Sequence, residues 1–168
     1  LGFSVTEIIN PPRMVQLERR NPELEVDVSS LLWLLLGSAV HTVIARAAMK
    51  DQERELRTMV PILLWRQDSE QLTGHFDLAE DSVIIDWKVT SIWSYLRARK
   101  EGKNEWEQQL NLYSYLARKT KAFEPVGLKV YAILKDWSAP GAKQNPDWPP
   151  VPFAALDIKQ WTFEDQEA

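Results

Sequence analysis

The chain has 168 residues, 45% of them hydrophobic and 26% charged, which gives room for one ordinary domain with a core and excludes a disordered chain. It has no cysteine, so disulfides, thiolate zinc sites, cysteine-ligated iron–sulfur clusters and cysteine nucleophiles are excluded together. With 20 basic against 24 acidic residues the net charge is −4, so any contact with nucleic acid has to rest on local basic clusters or on bound metal.

In chain order, Asn10-Pro11-Pro12 is a turn that can start a short helix over Arg13–Arg20, which Asn21-Pro22 ends. Ser29 and Ser30 are candidate caps for a long helix running to about Lys50. Its most apolar part, Leu31 to Ala48, carries His41 and Arg46, so the pattern predicts a buried helix rather than a membrane span. No basic segment followed by an apolar one opens the chain, and the expectation is a soluble, intracellular (cytoplasmic) protein. From about Leu56 the pattern turns to strands, over Thr58–Arg66, Gln71–Leu78 and Val83–Thr90. Two helices follow, Ser91–Glu101 and Glu105–Lys121, parted at Gly102. Leu128–Leu134 is a clear strand and Phe153–Ile158 a weaker one. The segment from Ala139 to Pro150 between them is rich in proline and glycine and reads as a loop. From Asp157 onward four acids and one lysine make an acidic tail. The whole reads as a single α/β domain, 1–168, with a mixed central sheet flanked by helices in the order α-α-β-β-β-α-α-β-β.

The informative stretch is Gly74-His75-Phe76-Asp77 followed by Val83-Ile84-Ile85-Asp86-Trp87-Lys88-Val89-Thr90. A hairpin closed by Ala79–Ser82 pairs Leu78 with Val83, Asp77 with Ile84 and His75 with Asp86. Strand alternation then puts Phe76, Leu78, Val83, Ile85, Trp87 and Val89 on an apolar face. His75, Asp77, Ile84, Asp86, Lys88 and Thr90 share the other. Two nearby carboxylates repel each other, and a divalent cation relieves that cost; oxygen donors suit magnesium or manganese. Lys88 points the same way and can orient a water or neutralise a phosphate. The bland alternative is an Asp86–Lys88 ion pair on a solvated strand. Gln109 and Tyr113, at i and i+4, share one face of the later helix. They can hydrogen-bond a phosphate, a water or the lysine, or simply finish the edge of the core. Gly37 sits one turn before His41 and leaves space beside an imidazole that is either a core residue or a metal ligand.

The order Gly37-xxx-His41, Gly74-x-x-Asp77, Asp86-x-Lys88 and Gln109-Leu-x-x-Tyr113 resembles the PD-(D/E)XK nuclease superfamily, with its restriction-endonuclease-like core. Within it the chain is similar to the RecB-like exonuclease branch, which includes CRISPR-associated exonucleases and phage recombination nucleases. The opening Val5-Thr6-Glu7-Ile8-Ile9-Asn10-Pro11-Pro12-Arg13 also resembles the start of such phage proteins. The resemblance implies a Mg2+- or Mn2+-dependent deoxyribonuclease, most often an exonuclease of recombination, repair or phage DNA processing. It implies His41, Asp77, Asp86 and the backbone carbonyl of Val89 as metal ligands and Lys88 as the catalytic lysine. Gln109 and Tyr113 would orient DNA and that lysine. The four cysteines of iron–sulfur relatives are missing, and neither Glu53 nor Glu55 is assigned to the acidic role that an early helix plays in many members. The alternative is a nuclease-like module that binds DNA or protein without cutting.

The expected partner is DNA, with no membrane; a second copy of the chain or a recombination partner protein stays open. Arg97, Arg99, Lys100 and Lys103 form one basic cluster, and Arg118, Lys119 and Lys121 a second. Either can contact phosphate or merely stabilise a helix end. Among 8 tryptophans, Trp87 and Trp33 are expected in the core. Trp93 and Trp106 are expected to pack there too, with stacking on a frayed base as the alternative.

Overall fold

The computed structural model describes residues 2–25, 27–47, 53–54, 57–63 and 69–167. Short β1 (Gly2–Ser4) leads into α1 (Val5–Ile9), α2 (Pro12–Arg20) and the long α3 (Val28–Ala47). Strands β2 (Glu53–Arg54), β3 (Arg57–Leu63), β4 (Ser69–His75), β5 (Leu78–Glu80) and β6 (Val83–Thr90) follow. Helices α4 (Ile92–Glu101) and α5 (Asn104–Lys119) cross over to β7 (Gly127–Leu134), which pairs parallel with β6. Then come α6 (Ala139–Gln144), β8 (Phe153–Ile158) and α7 (Phe163–Glu167). The described strands form a five-stranded sheet in the order β2-β5-β6-β7-β8 and a three-stranded one in the order β1-β4-β3. Both mix parallel and antiparallel neighbours, so the chain has the expected α/β architecture. Residues 48–50, 64–66 and Glu55, which earlier readings touch, lie outside the described residues.

The hairpin differs from its expected register. Leu78 pairs with Ile85, Ala79 with Ile84 and Glu80 with Val83, leaving the two-residue turn Asp81-Ser82. Both turn residues have positive φ, 49° and 62°. Such a turn follows the strand twist, and aspartate tolerates the left-handed region better than most residues. The shift is two residues, so Asp86 and Lys88 still share a side. That side, however, is the main core and not a polar surface. Ile84 is fully buried there with Ala79, Leu128 and Val130, against Leu110, Tyr113 and Leu116 of α5. Phe76 joins this cluster instead of the opposite face, because β4 ends at His75 and β5 starts at Leu78. The two-residue break resets the alternation, and Asp77 sits in it.

The other face is covered in part by α3, whose Ala39, Val40, Val43 and Ile44 line a recess with Trp87, Ile133 and Phe153. The front of α3 is not buried as expected: Leu32, Leu34 and Leu35 are each at least 60% exposed. A run of consecutive leucines puts apolar groups on every side of a helix, and one sheet covers only one side. Trp33 is exposed as well, with the Lys135 ammonium 3.6 Å above its ring. No helix among the described residues is long and apolar enough to cross a membrane.

Three short helices, α1, α6 and α7, were not read from the sequence, nor were the short strands β1 and β2. Ser4 and Glu7 form a capping box for α1, Ser4 Oγ accepting the Glu7 N–H at 3.1 Å and Glu7 Oε2 the Ser4 N–H at 2.8 Å. The proline-rich segment contains α6, and the acidic tail contains α7. The fully buried Asn111 ties that tail to α5: its Oδ1 accepts from Trp161 N–H at 2.7 Å, and its Nδ2 donates to the Lys159 carbonyl at 2.9 Å.

Close approach of β4 and α5 requires a glycine. A methyl at Gly74 would collide with Leu116 Cδ1 and lie 3.0 Å from Tyr113 Cδ1, whereas at Gly37 it would meet nothing within 4 Å. Gly74→Ala should therefore cost about 1–3 kcal/mol through overpacking. Gly37→Ala should gain up to about 1 kcal/mol from helix propensity. Urea unfolding of the two variants checks the opposite signs, and equal effects would refute the packing described.

Candidate active site

Asp86 lies in the middle of β6 with 3% exposure, because its strand is flanked by β5 and β7 and roofed by α5. Burying a carboxylate costs several kcal/mol unless a partner compensates. The compensation comes two residues along the same strand, where Lys88 Nζ stands 2.7 Å from Asp86 Oδ2. The contact is an ion pair outside hydrogen-bond angles, and that buried oxygen has no hydrogen bond among the described residues. Burial pushes the Asp86 carboxyl up, the Lys88 ammonium opposes it, and the charge of Asp77 adds to the rise.

Lys88 is held from above as well. Its ammonium donates to Gln109 Oε1 at 2.9 Å, and Gln109 Nε2 donates to the Tyr113 hydroxyl at 2.8 Å. The i, i+4 spacing on α5 thus works as the sequence suggested, with the amide carbonyl turned to the lysine. Burial and the nearby Asp86 charge push the Tyr113 hydroxyl far above its usual range, so it stays protonated at any physiological pH. Thr6 on α1 lines the same recess as Tyr113 and opposes part of this rise. Thr6 was not singled out from the sequence; the Ser4–Glu7 capping pattern is the signal that places its helix there.

Asp77 approaches from the break between β4 and β5. Its Oδ2 accepts the Trp87 backbone N–H at 2.8 Å, which fixes the carboxylate against β6, and its Oδ1 meets His41 Nδ1 at 2.9 Å. His41 comes from α3 on the opposite side of the sheet from α5. The hydrogen bond to Asp77 raises the imidazole above its usual range, against the opposing effect of burial. Both Asp86 and Lys88 are close enough for their charges to act on His41. Val89 follows Lys88 on β6, in register with Ile133. Glu53 pairs by its backbone with Ala79. The structure therefore brings together His41, Asp77, Asp86, Lys88, Gln109 and Tyr113 from three separate elements and one break.

The donor set can be compared with the cation it was expected to hold. Two carboxylates and an imidazole are hard to intermediate donors suited to magnesium or manganese, and one buried Asp86 oxygen has no hydrogen bond among the described residues. Among the described residues, however, no three His, Asp or Glu groups form a ready cage. His41 and Trp87 N–H occupy Asp77 and Lys88 neutralises Asp86, so a cation would have to share or replace these partners.

No known protein family and no curated protein matches the sequence. The fold has a solved counterpart. The chain is similar to the crystal structure of SSO0001, at 18% identity over 98% of this chain and 69% of that one, with a TM-score of 0.68. A protein of Eubacterium rectale named as a candidate exonuclease is more loosely similar, at 11% identity over 97% of this chain and 59% of that one, with a TM-score of 0.40. The first likeness is one of fold; the second is too loose to carry anything further.

The basic clusters are largely paired. Arg97 meets Glu101 at 3.0 Å, Lys100 meets Asp147 at 3.4 Å and Lys103 meets Glu105 at 3.7 Å. Arg118 pairs with Glu124 at 2.7 Å and donates to Gln166, while Lys119 lies over the Tyr115 and Phe163 rings. Trp106 is buried as expected, but Trp93 is exposed on α4.

The His41–Asp77 bond makes a pH prediction. A raised imidazole pKa adds stability that is complete below the ordinary value near 6.5 and is lost as pH rises through the raised value. In metal-free protein the melting-temperature advantage of wild type over His41→Gln should shrink between pH 6 and 9. An advantage that stays constant or grows over that range would contradict the bond.

Proposed function

We propose that this chain is a metal-dependent deoxyribonuclease that hydrolyses phosphodiester bonds, working as an exonuclease in recombination, repair or phage DNA processing. The observation that carries the reading is the linked set Asp86–Lys88–Gln109–Tyr113 with Asp77–His41 beside it, in the chain order of the PD-(D/E)XK pattern. A generic surface ion pair needs none of this: it has no buried acid, no amide turned to the ammonium and no second acid locked by a backbone N–H.

His41, Asp77, Asp86 and the Val89 carbonyl would hold magnesium or manganese, which when bound supplies a Lewis acid for the scissile phosphate and lowers the pKa of a water. The remaining work falls to the chain. An ammonium has three protons; Gln109 accepts one, and Asp86 stands beside the group as an ion-pair partner. The side chain is 25% exposed, so solvent reaches it, and a water or a phosphate oxygen can take a further proton of the ammonium. Lys88 would orient the attacking water and offset the charge that grows on the phosphoryl oxygens. Water adds to phosphorus, one P–O ester bond breaks, and the sugar oxygen leaves with a proton. Gln109 and Tyr113 are positioning residues that keep the ammonium aimed while its neighbours change charge.

A second reading is a nuclease-like binding module. It is favoured by the same two neutralising contacts, since His41 and Lys88 already satisfy both acids without a cation. Incubation with linear DNA and manganese separates the two. The nuclease reading expects wild type to shorten the DNA, and Asp77→Asn, Asp86→Asn and Lys88→Met to lose at least about 100-fold in rate while keeping their circular dichroism. Wild type that shifts DNA mobility and leaves it whole, or variants that cut at the wild-type rate, would overturn it.

A further inference from the structure

The proposed mechanism leaves a groove of about 500 Å³ unused. One wall is the outer face of α4, with Trp93, Arg97 and Lys100; the other is the proline-rich segment after α6, with Pro146, Asp147 and Trp148. Trp93 is 76% exposed, an unusual position for the largest apolar side chain. Arg97 and Lys100 follow it at four and seven residues, hence on the same helical face.

The far wall is firmly built. Ser138 Oγ caps α6, and Gly141 has no side chain where the Trp148 ring lies, so a methyl there would collide with the indole. The Trp148 N–H bonds the Asn145 carbonyl at 3.0 Å, and Trp137 Nε1–H bonds the Pro149 carbonyl at 2.9 Å. The near wall is anchored by Ile92 N–H on Asp136 Oδ1 at 2.7 Å. These contacts hold a fixed cleft beside an open indole face.

Chain connectivity places this cleft near the chemistry. Trp93 follows Lys88 by five positions, so their Cα atoms lie within about 18 Å of each other. The groove carries Arg97 and Lys100 beside Glu101 and Asp147, and Arg99 and Lys103 next to it in the chain tip the segment from Arg97 to Lys103 to four cations against one anion. Among the described residues Arg97 and Lys100 are held by ion pairs whose side chains are more than 60% exposed. Such pairs contribute little in water, and a phosphate can take either cation over.

We infer that the Trp93 groove binds an unpaired nucleotide of single-stranded DNA or of a frayed end, the indole stacking on the base while Arg97 or Lys100 takes a neighbouring phosphate. The inference rests on the nuclease reading and adds a substrate class to it. Inside a duplex each base face is covered by its neighbours and only the outer faces of the two terminal pairs are open, whereas every base of a single strand can present its face to Trp93.

The test measures anisotropy of a labelled single-stranded oligothymidylate and of a blunt duplex, both in EDTA so that nothing is cut. Trp93→Ala should weaken single-strand binding about tenfold or more, the scale of one lost base stack, while Trp93→Phe keeps most of it and duplex affinity changes less than twofold. Trp93→Ala binding the single strand as tightly as wild type would overturn the groove, and so would an equal loss on both DNAs. If Trp93→Ala fails on single strands while wild type digests DNA with manganese, both readings stand. If wild type digests DNA and the variant still binds normally, only the groove falls. If wild type neither binds nor cuts DNA, the nuclease reading falls and takes the groove with it.

Discussion

A carboxylate with 3% exposure in the middle of a sheet sets the terms for everything packed around it. Asp86 must be neutralised by a partner, a proton or a cation, since the bare charge would cost several kcal/mol in the interior. The fold supplies Lys88 from the same strand, and the rest follows from holding that ammonium in place. Gln109 accepts from it, Tyr113 fixes Gln109, and α5 must approach β4 closely enough that only glycine fits at position 74. Asn111, on the same helix, anchors the C-terminal segment and so steadies α5. A neutral residue at 86 would need none of this apparatus, so the apparatus points to a site whose charge is used.

Much of this was legible from spacing. Val83–Thr90 and Phe153–Ile158 form the strands expected of them, and Asp86 and Lys88 share a face because two residues always do in a strand. Gln109 and Tyr113 meet because four residues make one helical turn, and their hydrogen bond confirms a shared face. What spacing does not reveal is which face of a strand becomes the core when both are covered. The hairpin looks amphipathic, yet Ile84 on its supposedly polar face is fully buried, because α5 roofs that side and α3 partly covers the other.

The break at Phe76-Asp77 was illegible for a different reason. A continuous strand over Gln71–Leu78 satisfies the apolar pattern, and nothing local marks a stop. The stop is tertiary: Asp77 turns to accept the Trp87 N–H and to meet His41 from α3, bonds that join residues 10 and 36 positions apart in the chain. Helix α3 was misjudged from the opposite direction, its leucine run being read as a sign of burial when much of it faces outward. Trp93 likewise was expected inside, and its exposure becomes intelligible only with the groove wall built by the proline-rich segment.

The central claim is that Asp77 and Asp86 converge on one divalent cation. Calorimetric titration of the whole chain with manganese tests it most directly, read beside circular dichroism to show that each variant is folded. The account predicts that wild type binds the ion and that Asp77→Asn and Asp86→Asn each weaken binding by about tenfold or more. Wild type that takes up no manganese, or folded variants that bind it as tightly as wild type, would contradict the account.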